Sequence, residues 1–365
     1  MPVLRLRPEM DVFAEHKVRG ALRLGRYLIA TRLSIWMAGA EGIAAKLAYR
    51  AGWKPAWLQD RKAPYSIAVP WTPADLSYTE RHTPHGSIIV ADYIFQTKAF
   101  DVLKEKTRAT ATIMHDLFHR RAEMVKATGV VDSVATVERD DEIRMLGHAD
   151  LVITIQQAEA DFVLENLPGQ PVLTVPMSFP VASAPQPGSD TEILFVGSNT
   201  EPNVAGLKWF LESCWPQVLE AVPGASLTIA GSVSSGMSGV PQAKGSRYLG
   251  VVDDLASLYE RAGVVISPLT FGSGLKVKLI EALALGKAMV ATSTTLQGVE
   301  AIAGHAVLQA DRADDFAEAI VALTRNRGLR SQIGASALAV AEANFSAVAA
   351  HGPFADWLLA KAGPT

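Results

Sequence analysis

Residues 264–292, VVISPLTFGSGLKVKLIEALALGKAMVAT, are the stretch of sequence that decides the fold. The stretch begins with a short run of apolar, mostly β-branched residues, which is typical of a strand buried in a parallel sheet. A glycine-rich loop at 271–274 follows, and LKVKLIEALALG then has the apolar periodicity of a helix that stops at Gly286. KAMVAT begins the next strand. We therefore predict a strand–helix–strand unit of a parallel sheet.

The loop inside this unit has the composition of an anion site. Its glycines would expose backbone N–H groups at a helix N-terminus, where the helix dipole favours negative charge. Lys276 and Lys278 are predicted to lie in the first turn, where their charge opposes the dipole unless an anion offsets it. Glu281 is spaced to share a helix face with Lys278. The pattern favours a site for phosphate and sugar hydroxyls, and the alternative is a plain strand–helix corner.

FGSGLKVKLIEALALGKAMVAT resembles the donor-site signature of the family-4 glycosyltransferases, which are retaining, two-domain enzymes of the GT-B fold that use nucleotide-sugars. The similarity extends over roughly 191–346 and more loosely back to Ser87. Family members often carry two glutamates eight positions apart here. Glu281 matches the second, which in the family holds the ribose hydroxyls, whereas Ser273 stands where the first would lie against the donor sugar. Gly272, Gly274 and Lys278 match a family subset with a G-x-G-x-x-x-K run.

The resemblance places the donor nucleotide on the second half of the chain. TEILFVGS and SLTIAGS predict strands that end at glycines, which let a phosphate approach the main chain. Many family members carry an arginine and a lysine after the first of these strands. Here no basic residue lies between the end of this strand and Lys208. Lys276 and Lys278, which follow the glycine loop, are therefore expected to face the pyrophosphate. The predicted donor-binding residues are Gly197, Ser198, Gly231, Gly272, Ser273, Gly274, Leu275, Lys276, Lys278 and Glu281.

His115 is the candidate catalytic residue of the first half, and Glu281 is that of the second. ATATIMHD predicts a strand whose polar end is His115-Asp116, and ligands of doubly wound sheets bind beyond such ends. A His-Asp pair closing this strand resembles the family, in which the histidine contacts the donor sugar across the interdomain cleft. The alternative is a histidine that caps the next helix or donates to a backbone carbonyl. Asp116 is interpreted as an N-cap of that helix. His119, Arg120 and Arg121 are interpreted as its solvated face, and the alternative is that they approach an anionic ligand.

Strands alternate with helices from Ser87 onward, which predicts an α/β protein with parallel, doubly wound sheets. With the resemblance, this becomes a GT-B fold of two Rossmann-like domains facing across a cleft. The Pro-, Ser- and Gly-rich stretch 178–190 predicts the boundary between domains at 1–179 and 190–345. The resemblance implies that a final helix, 346–365, crosses back onto the first domain. The family's opening strand and glycine-rich loop are not visible, so the first βαβ unit is predicted to be reduced or missing.

Residues 18–52 are predicted to form a long helical region with Arg19, Arg23 and Arg26 on one stripe. A basic amphipathic helix can lie on an anionic membrane surface. The alternative is a helix packed on the core with a solvated arginine face. The resemblance favours membrane contact, because family members often act on lipid-linked sugars.

Composition excludes several classes of protein. The 365 residues are 49% hydrophobic and 19% charged, which suits two folded domains. A net charge of -3 without a Lys/Arg tract argues against nucleic acid as a partner. The single cysteine, Cys214, excludes an internal disulfide framework and is predicted to be a buried thiol. The charged N-terminus lacks the apolar core of a signal peptide, and no uncharged apolar run approaches 18 residues. A cytoplasmic location is therefore expected, and the 18–52 region adds the expectation of contact with the inner face of the membrane.

The leading hypothesis is a glycosyltransferase of polysaccharide biosynthesis. It would move a sugar, with retention, from a nucleotide-sugar to a glycan, lipid-linked or small-molecule acceptor. No cofactor or metal is expected, because no Asp-x-Asp motif is present and Asp253-Asp254 is interpreted as a turn and cap. The alternative, motivated by Ser273, is a catalytically impaired GT-B protein that binds a nucleotide-sugar or a partner glycosyltransferase. A sugar-nucleotide epimerase ranks lower, because no further acid–base carboxylates stand out.

Overall fold

The computed structural model describes residues 21–24, 27–30, 40, 71, 73–120, 137–272 and 274–363. Within them, the strands form a hairpin, a four-stranded sheet and a six-stranded sheet. The chain divides into two compact units. The first unit has Met1–Ile153, Asp161–Val172 and Leu358–Thr365, and the second has Thr154–Ala160 and Leu173–Trp357.

The hairpin overturns part of the helix predicted over 18–52. Strands β1 (Ala21–Leu24) and β2 (Tyr27–Ala30) pair antiparallel, with Ala21 opposite Ala30 and Leu24 opposite Tyr27. The two residues between the strands are Gly25-Arg26, and glycine at the first position of a two-residue loop is a hairpin signal that is also unfavourable in a helix. The helix prediction is therefore wrong here. The remainder of 18–52, apart from residue 40, lies outside the described residues, and so does the predicted strand at 66–70.

The four-stranded sheet has the strand order β3-β4-β5-β6, with β3 and β4 parallel. Its strands are β3 (Ser87–Asp92), β4 (Thr107–Met114), β5 (Leu151–Thr154) and β6 (Val172–Thr174). The helices around it are α1 (Pro73–His82), a 3-10 turn (Ile94–Ala99), α2 (Phe100–Leu103), α3 (Arg139–Leu146) and α4 (Gln157–Asn166). The buried core of the first unit includes Ile94, Met114, Phe118, Leu146, Val152 and Phe162. In the part of the chain that the structure describes, this sheet has no strand before Ser87.

The six-stranded sheet is parallel throughout and has the order β12-β11-β10-β7-β8-β9. Its strands are β7 (Glu192–Val196), β8 (Ser226–Ala230), β9 (Ser246–Gly250), β10 (Val264–Ser267), β11 (Met289–Ala291) and β12 (Leu308–Gln309). The helices are α5 (Glu201–Trp209), which continues through a π turn (Phe210–Cys214) into α6 (Trp215–Ala221), then α7 (Val233–Gly236), α8 (Ala256–Arg261), α9 (Val277–Ala284), a 3-10 turn (Glu300–Ile302), α10 (Ala313–Arg325), α11 (Arg327–Phe345) and α12 (Ala347–Ala362).

Both faces of this sheet are buried, as the uninterrupted apolar strands predict. Ile193 and Val264 belong to the core cluster on one face, whereas Leu194 and Val265 belong to the cluster on the other. A strand covered by helices on both faces needs no polar alternation. The prediction of a parallel, doubly wound α/β architecture is confirmed. Cys214 is fully buried, as predicted, and burial raises the pKa of its thiol to about 12.

One helical stretch among the described residues, Arg327–Ala362, is long and apolar enough by length and composition to cross a membrane. It consists of α11 and α12, which meet at Ser346. Helix α11 buries Ile333, Ala337 and Ala341 in the second unit. Because a core helix passes the same test, the stretch is weak evidence for a membrane span.

Two buried cations hold the end of the Pro-rich stretch, residues 186–190, against the rest of the second unit. The Lys287 ammonium donates to the Gln186 carbonyl at 2.5 Å. The fully buried Arg330 guanidinium pairs with Asp190 and donates to the Pro187 carbonyl at 2.9 Å. It also donates to the Leu323 and Thr324 carbonyls at the end of α10 (2.5 and 3.0 Å). A guanidinium removed from water requires such a set of acceptors, and the contacts fix this part of the stretch.

Lys287 should make stability depend on pH. Burial, with a smaller contribution from Arg330, lowers the pKa of Lys287 from 10.5 to about 8. Between these values the unfolded chain binds more protons than the folded chain, so the cost of the buried charge is relieved as pH rises. Wild type should therefore gain unfolding free energy relative to Lys287→Met between pH 8 and pH 10.5. Urea unfolding of both proteins across this range tests the expectation, and parallel curves would contradict it.

Candidate functional site

The strand order of the second unit brings several candidate residues to one edge of its sheet. The chain starts at β7, adds β8 and β9 on one side, and then returns to add β10 on the other. Ligands of such sheets bind at this reversal point, beyond the carboxyl ends of the strands. The loop after β7 leads into α5, and the loop after β10 leads into α9. The two helix N-termini therefore lie on either side of the reversal.

Gly197 and Gly231 belong to this edge, but their first role is to pack the loops together. Gly231 has φ 102°, and a Cβ added there would collide with the Gly197 carbonyl oxygen. The Gly197 amide donates to the Ala230 carbonyl (3.0 Å), and the Gly231 amide donates to the Gly250 carbonyl (2.7 Å). Three strand ends are thus joined through main-chain contacts. Gly231 is required for this packing whether or not a phosphate is bound, whereas a Cβ on Gly197 would meet the side chains of Phe195 and Asn203.

The loop that contains Ser198 is held by its own polar groups. The Asn203 side-chain amide donates to the carbonyl and the hydroxyl of Ser198 (both 3.1 Å) and to the Thr200 hydroxyl (2.9 Å). This loop adjoins the glycine loop after β10, because a Cβ on Gly272 would lie 3.5 Å from the Pro202 ring. The glycine loop is therefore a neighbour of the start of α5, and Gly197 and Ser198 lie in the loop that leads into that helix.

The glycine loop enters α9 with two left-handed residues, Gly272 (φ 126°) and Gly274 (φ 77°), a conformation that glycine adopts at little cost. Ser273 lies outside the described residues. Lys276 is the N-cap of α9 rather than part of its first turn, and its ammonium donates to the Gly274 carbonyl at 2.5 Å. The Leu275 side chain is buried in the core, so only its main chain is available to a ligand.

Glu281 is held by two donors from different helices. Lys278 lies in the first turn of α9 and donates to Glu281 Oε2 at 2.7 Å, which confirms the predicted shared helix face. The Tyr259 hydroxyl from α8 donates to the same oxygen at 3.0 Å. Burial, followed by the charge of Glu281 and the hydrogen bond to it, holds the pKa of Tyr259 well above its ordinary value. The phenol is thus a permanent donor to the carboxylate.

Sequence reasoning missed Tyr259, because no local spacing connects it to Glu281.

Among the described residues, no three or more His, Cys, Asp or Glu side chains are grouped to hold a metal ion. The Asp254 carboxylate accepts from the Ala256 amide (2.8 Å) at the start of α8, in agreement with its interpretation as a turn and cap.

In the first unit, His115 follows the end of β4, as predicted. Its Nε2 lies 2.6 Å from Asp92 Oδ1, at the end of the neighbouring strand β3. Its ring also packs on the Tyr93 ring, with 4.2 Å between centroids. The contact that orients the imidazole is thus with a carboxylate, rather than with a helix end or a backbone carbonyl.

A buried carboxylate fixes the segment that follows His115, and the sequence analysis missed it. The Asp116 carboxylate accepts from the adjacent Leu117 amide (2.9 Å). The amides of Phe118 and His119 donate instead to the two oxygens of Glu142 on α3 (2.9 Å each). Glu142 Oε2 also lies 2.6 Å from His119 Nδ1. The prediction of a solvated face at His119 is therefore wrong, because Glu142 draws this histidine into the core.

Comparisons with known proteins agree with this architecture. Residues 190–326 match the family model of the glycosyl transferases group 1. An uncharacterized 44.6 kDa protein in the cps region of Klebsiella pneumoniae is 28% identical over 163 residues, which are 42% of this chain and 42% of the relative. The chain thus spans less than half of this curated relative. The segment matched by the family model, residues 190–326, contains the predicted donor-binding residues from Gly197 to Glu281.

Solved structures show the fold. TarM superposes with a TM-score of 0.61 at 14% identity, covering 79% of this chain and 57% of TarM. Anabaena Alr3699/HepE in complex with UDP has a TM-score of 0.58 at 12% identity, covering 78% and 81% of the two chains. Sucrose-phosphate synthase from Thermosynechococcus elongatus has a TM-score of 0.57 at 16% identity, covering 78% and 77%. These are GT-B proteins, and the predicted GT-B fold is confirmed.

Gly231→Ala should destabilise the second unit. The left-handed backbone alone costs a residue with a side chain roughly 1–3 kcal/mol, and the new methyl would also collide with the Gly197 carbonyl. Gly239→Ala is the matched control, since it has φ 85° but no atom within 4 Å of the added Cβ. Urea unfolding should show the larger loss for Gly231→Ala. Equal losses would mean that the two strand ends are not packed together.

Glu142→Ala should destabilise the first unit by about 2–4 kcal/mol, because it leaves the Phe118 and His119 amides buried without their acceptor. Asp141→Ala is the control, since the neighbouring Asp141 side chain is half-exposed and pairs with the more exposed Arg144. Removing an exposed ion pair costs at most about 1 kcal/mol. Thermal unfolding of both variants tests the difference, and a small effect of Glu142→Ala would show that the carboxylate does not hold this segment.

Proposed function

We propose, on the premise that residues 190–326 form a glycosyl transferases group 1 domain, that this chain transfers a sugar from a nucleotide-sugar to an acceptor. The observation that carries the proposal is Glu281, held by Lys278 and Tyr259 beside the glycine loops at the reversal point of the sheet. Solved neighbours support a nucleotide diphosphate as the anchoring group, since Alr3699/HepE has been crystallised with UDP and with UDP-glucose.

The diphosphate would bind where main-chain donors and positive charge meet. A helix N-terminus leaves its first amides without a carbonyl four residues earlier, and the helix dipole adds partial positive charge there. The exposed fraction of the Lys278 side chain is 40%, so its ammonium can reach an anion while it contacts Glu281. The Lys276 ammonium, which folds onto the Gly274 carbonyl, would turn toward the bound phosphates. The glycine loop would supply the close main-chain approach, since the Gly197 amide already donates to the Ala230 carbonyl.

The ribose would bind Glu281. Within the described residues, both side-chain donors to this carboxylate lie on Oε2, which leaves Oε1 to accept from a ribose hydroxyl. Lys278 and Tyr259 would hold the carboxylate in a fixed orientation before the donor arrives. Hydrogen bonds to such a preorganised charge are among the stronger ones in proteins.

The chemistry would depend on stabilising the departing diphosphate. Negative charge develops on it as the bond to the sugar breaks, and the α9 N-terminus with its two lysines would stabilise that charge without a metal. His115 would orient the sugar from the first unit, and the sugar would be transferred with retention. The acceptor would be a glycan or a lipid-linked sugar at the cytoplasmic side of the membrane. Membrane contact through residues 18–52 stays a prediction, because most of that segment lies outside the described residues.

Ser273 favours one second candidate. It stands where related enzymes carry a carboxylate near the sugar, so a donor-binding protein with impaired transfer is the competing function. The two functions differ in what happens to a bound nucleotide-sugar, since only the transferase would move or slowly hydrolyse the sugar. Assays of both reactions with the donors of whichever nucleotide binds decide between them.

Glu281→Ala should weaken nucleotide binding, because the ribose would lose a charge-assisted hydrogen bond of roughly 1.5–3 kcal/mol. That loss corresponds to an affinity lower by about 10- to 150-fold. A thermal-shift screen with UDP, GDP, dTDP and ADP, followed by calorimetry with the nucleotide that stabilises the protein, measures the change. Glu260→Ala, an exposed glutamate beside Tyr259, is the control and should bind normally. Unchanged affinity in Glu281→Ala would refute the site.

A further inference from the structure

We propose that Asp92 and Tyr93 are positioning residues for His115, and that Asp92 determines which ring nitrogen meets the sugar. The inference rests on the proposed function for the statement that His115 faces the donor sugar. The arrangement of the three side chains is independent of that statement. It is carried by a hydrogen bond, a ring contact and an unusual backbone conformation in the first unit.

The three residues come together because two parallel strands end side by side. Asp92 is the last residue of β3 and lies opposite Ile113 of β4. Tyr93 follows Asp92, and His115 comes one residue after the end of β4. Both segments leave the sheet at its carboxyl edge, where doubly wound sheets bind ligands. The side chains are thus in a position to act on a bound molecule.

Asp92 determines the tautomer of His115. Its Oδ1 lies 2.6 Å from His115 Nε2, and an ionised carboxylate can only accept a hydrogen bond. Nε2 must therefore carry the proton. In the neutral imidazole, Nδ1 then has the lone pair and accepts hydrogen bonds. A sugar hydroxyl would donate to Nδ1, so the pair selects a hydroxyl rather than a carbonyl or another acceptor as the group that His115 holds.

Tyr93 limits the orientation of the imidazole by a second contact. The two ring centroids are 4.2 Å apart with 35° between the ring planes, so the tyrosine covers one face of the histidine. The hydrogen bond to Asp92 acts in the plane of the imidazole, whereas the ring contact acts on its face. Together they restrict rotation about both side-chain torsions of His115.

The backbone of Tyr93 indicates that its side chain is needed at this position. It has φ 79° and ψ 145°, and it is the single residue other than glycine with positive φ in the described part of the chain. Glycine would adopt this conformation with far less strain. The strained peptide is held by the Tyr93 amide, which donates to the Ile113 carbonyl (3.2 Å), and by the Gln96 amide, which donates to the Tyr93 carbonyl (3.1 Å). Strain retained at a bulky residue points to function.

The Asp92–His115 hydrogen bond is too exposed to contribute much to stability. The exposed fraction is 69% for the Asp92 side chain and 36% for that of His115. A polar contact this accessible to water contributes little to folding. Asp92→Asn and Asp92→Ala should therefore fold and melt almost as wild type does. A loss of activity in these variants can then be assigned to the site rather than to unfolding. The same exposure leaves the imidazole within reach of a ligand.

The first test is spectroscopic and does not depend on activity. Protein labelled with ¹⁵N-histidine is recorded in long-range ¹H–¹⁵N spectra at pH 8.5, and His115→Gln identifies the His115 signals. Wild type should show the tautomer with the proton on Nε2, and Asp92→Ala should show a mixture of both tautomers. A wild-type ring protonated on Nδ1, or a ring unchanged by Asp92→Ala, would overturn the proposal.

The second test separates turnover from donor binding. Asp92→Asn and Tyr93→Leu should each lower kcat at least 10-fold while the KM for the donor changes less than 3-fold. Asp101→Asn is the matched control, because Asp101 also pairs with a surface cation of this unit, Lys98, at 2.6 Å. Normal kcat in both test variants would overturn the positioning role. If wild type neither transfers nor hydrolyses sugar, the proposed function fails, and the spectra alone decide whether Asp92 orients His115.

Discussion

The close packing of strand ends in the six-stranded sheet is the constraint on which the candidate donor site depends. The Gly197 carbonyl occupies the space that a side chain on Gly231 would need, and the Pro268 carbonyl does the same at Gly206 of α5. These contacts draw the loops after β7, β8 and β10 onto one another. The N-termini of α5 and α9 then lie on either side of these loops, and helix N-termini in such a position can bind phosphate. Any side chain at these glycines would push the loops apart.

The charged side chains of α9 beside these loops already have partners before a ligand binds. Lys278 neutralises Glu281, and the Lys276 ammonium is turned onto the Gly274 carbonyl. Tyr259 adds a neutral donor to the same carboxylate oxygen. An arriving diphosphate would find the helix dipole already in place, and the lysines would need only to turn toward it. Such prearranged dipoles avoid the reorganisation that water would require.

The first unit uses a different device to fix its candidate residue. Glu142 is fully buried and takes two backbone amides and the His119 ring, so it substitutes for the helix cap that Asp116 was predicted to provide. A longer side chain from another helix reaches both amides at once, which the short Asp116 side chain cannot do. The segment leaving β4 is thereby anchored on one side of His115, while Asp92 and Tyr93 contact the imidazole on the other.

Local patterns in the sequence determined the parallel sheets, the glycine loop, the entry into α9 and the Lys278–Glu281 pair, because each depends on residues within a few positions of one another. Local patterns gave the wrong structure at residues 21–30, where a helix was predicted and a hairpin is found. The apolar residues of this segment fit the stripe of a helix and the strands of a hairpin almost equally. Only the tertiary structure decided the contacts of Tyr259 with Glu281, Glu142 with Phe118 and His119, and Asp92 with His115. These partners are 22 to 24 residues apart on separate elements. Side chains that meet only through strand order and helix packing leave no spacing in the sequence from which their contact could be predicted.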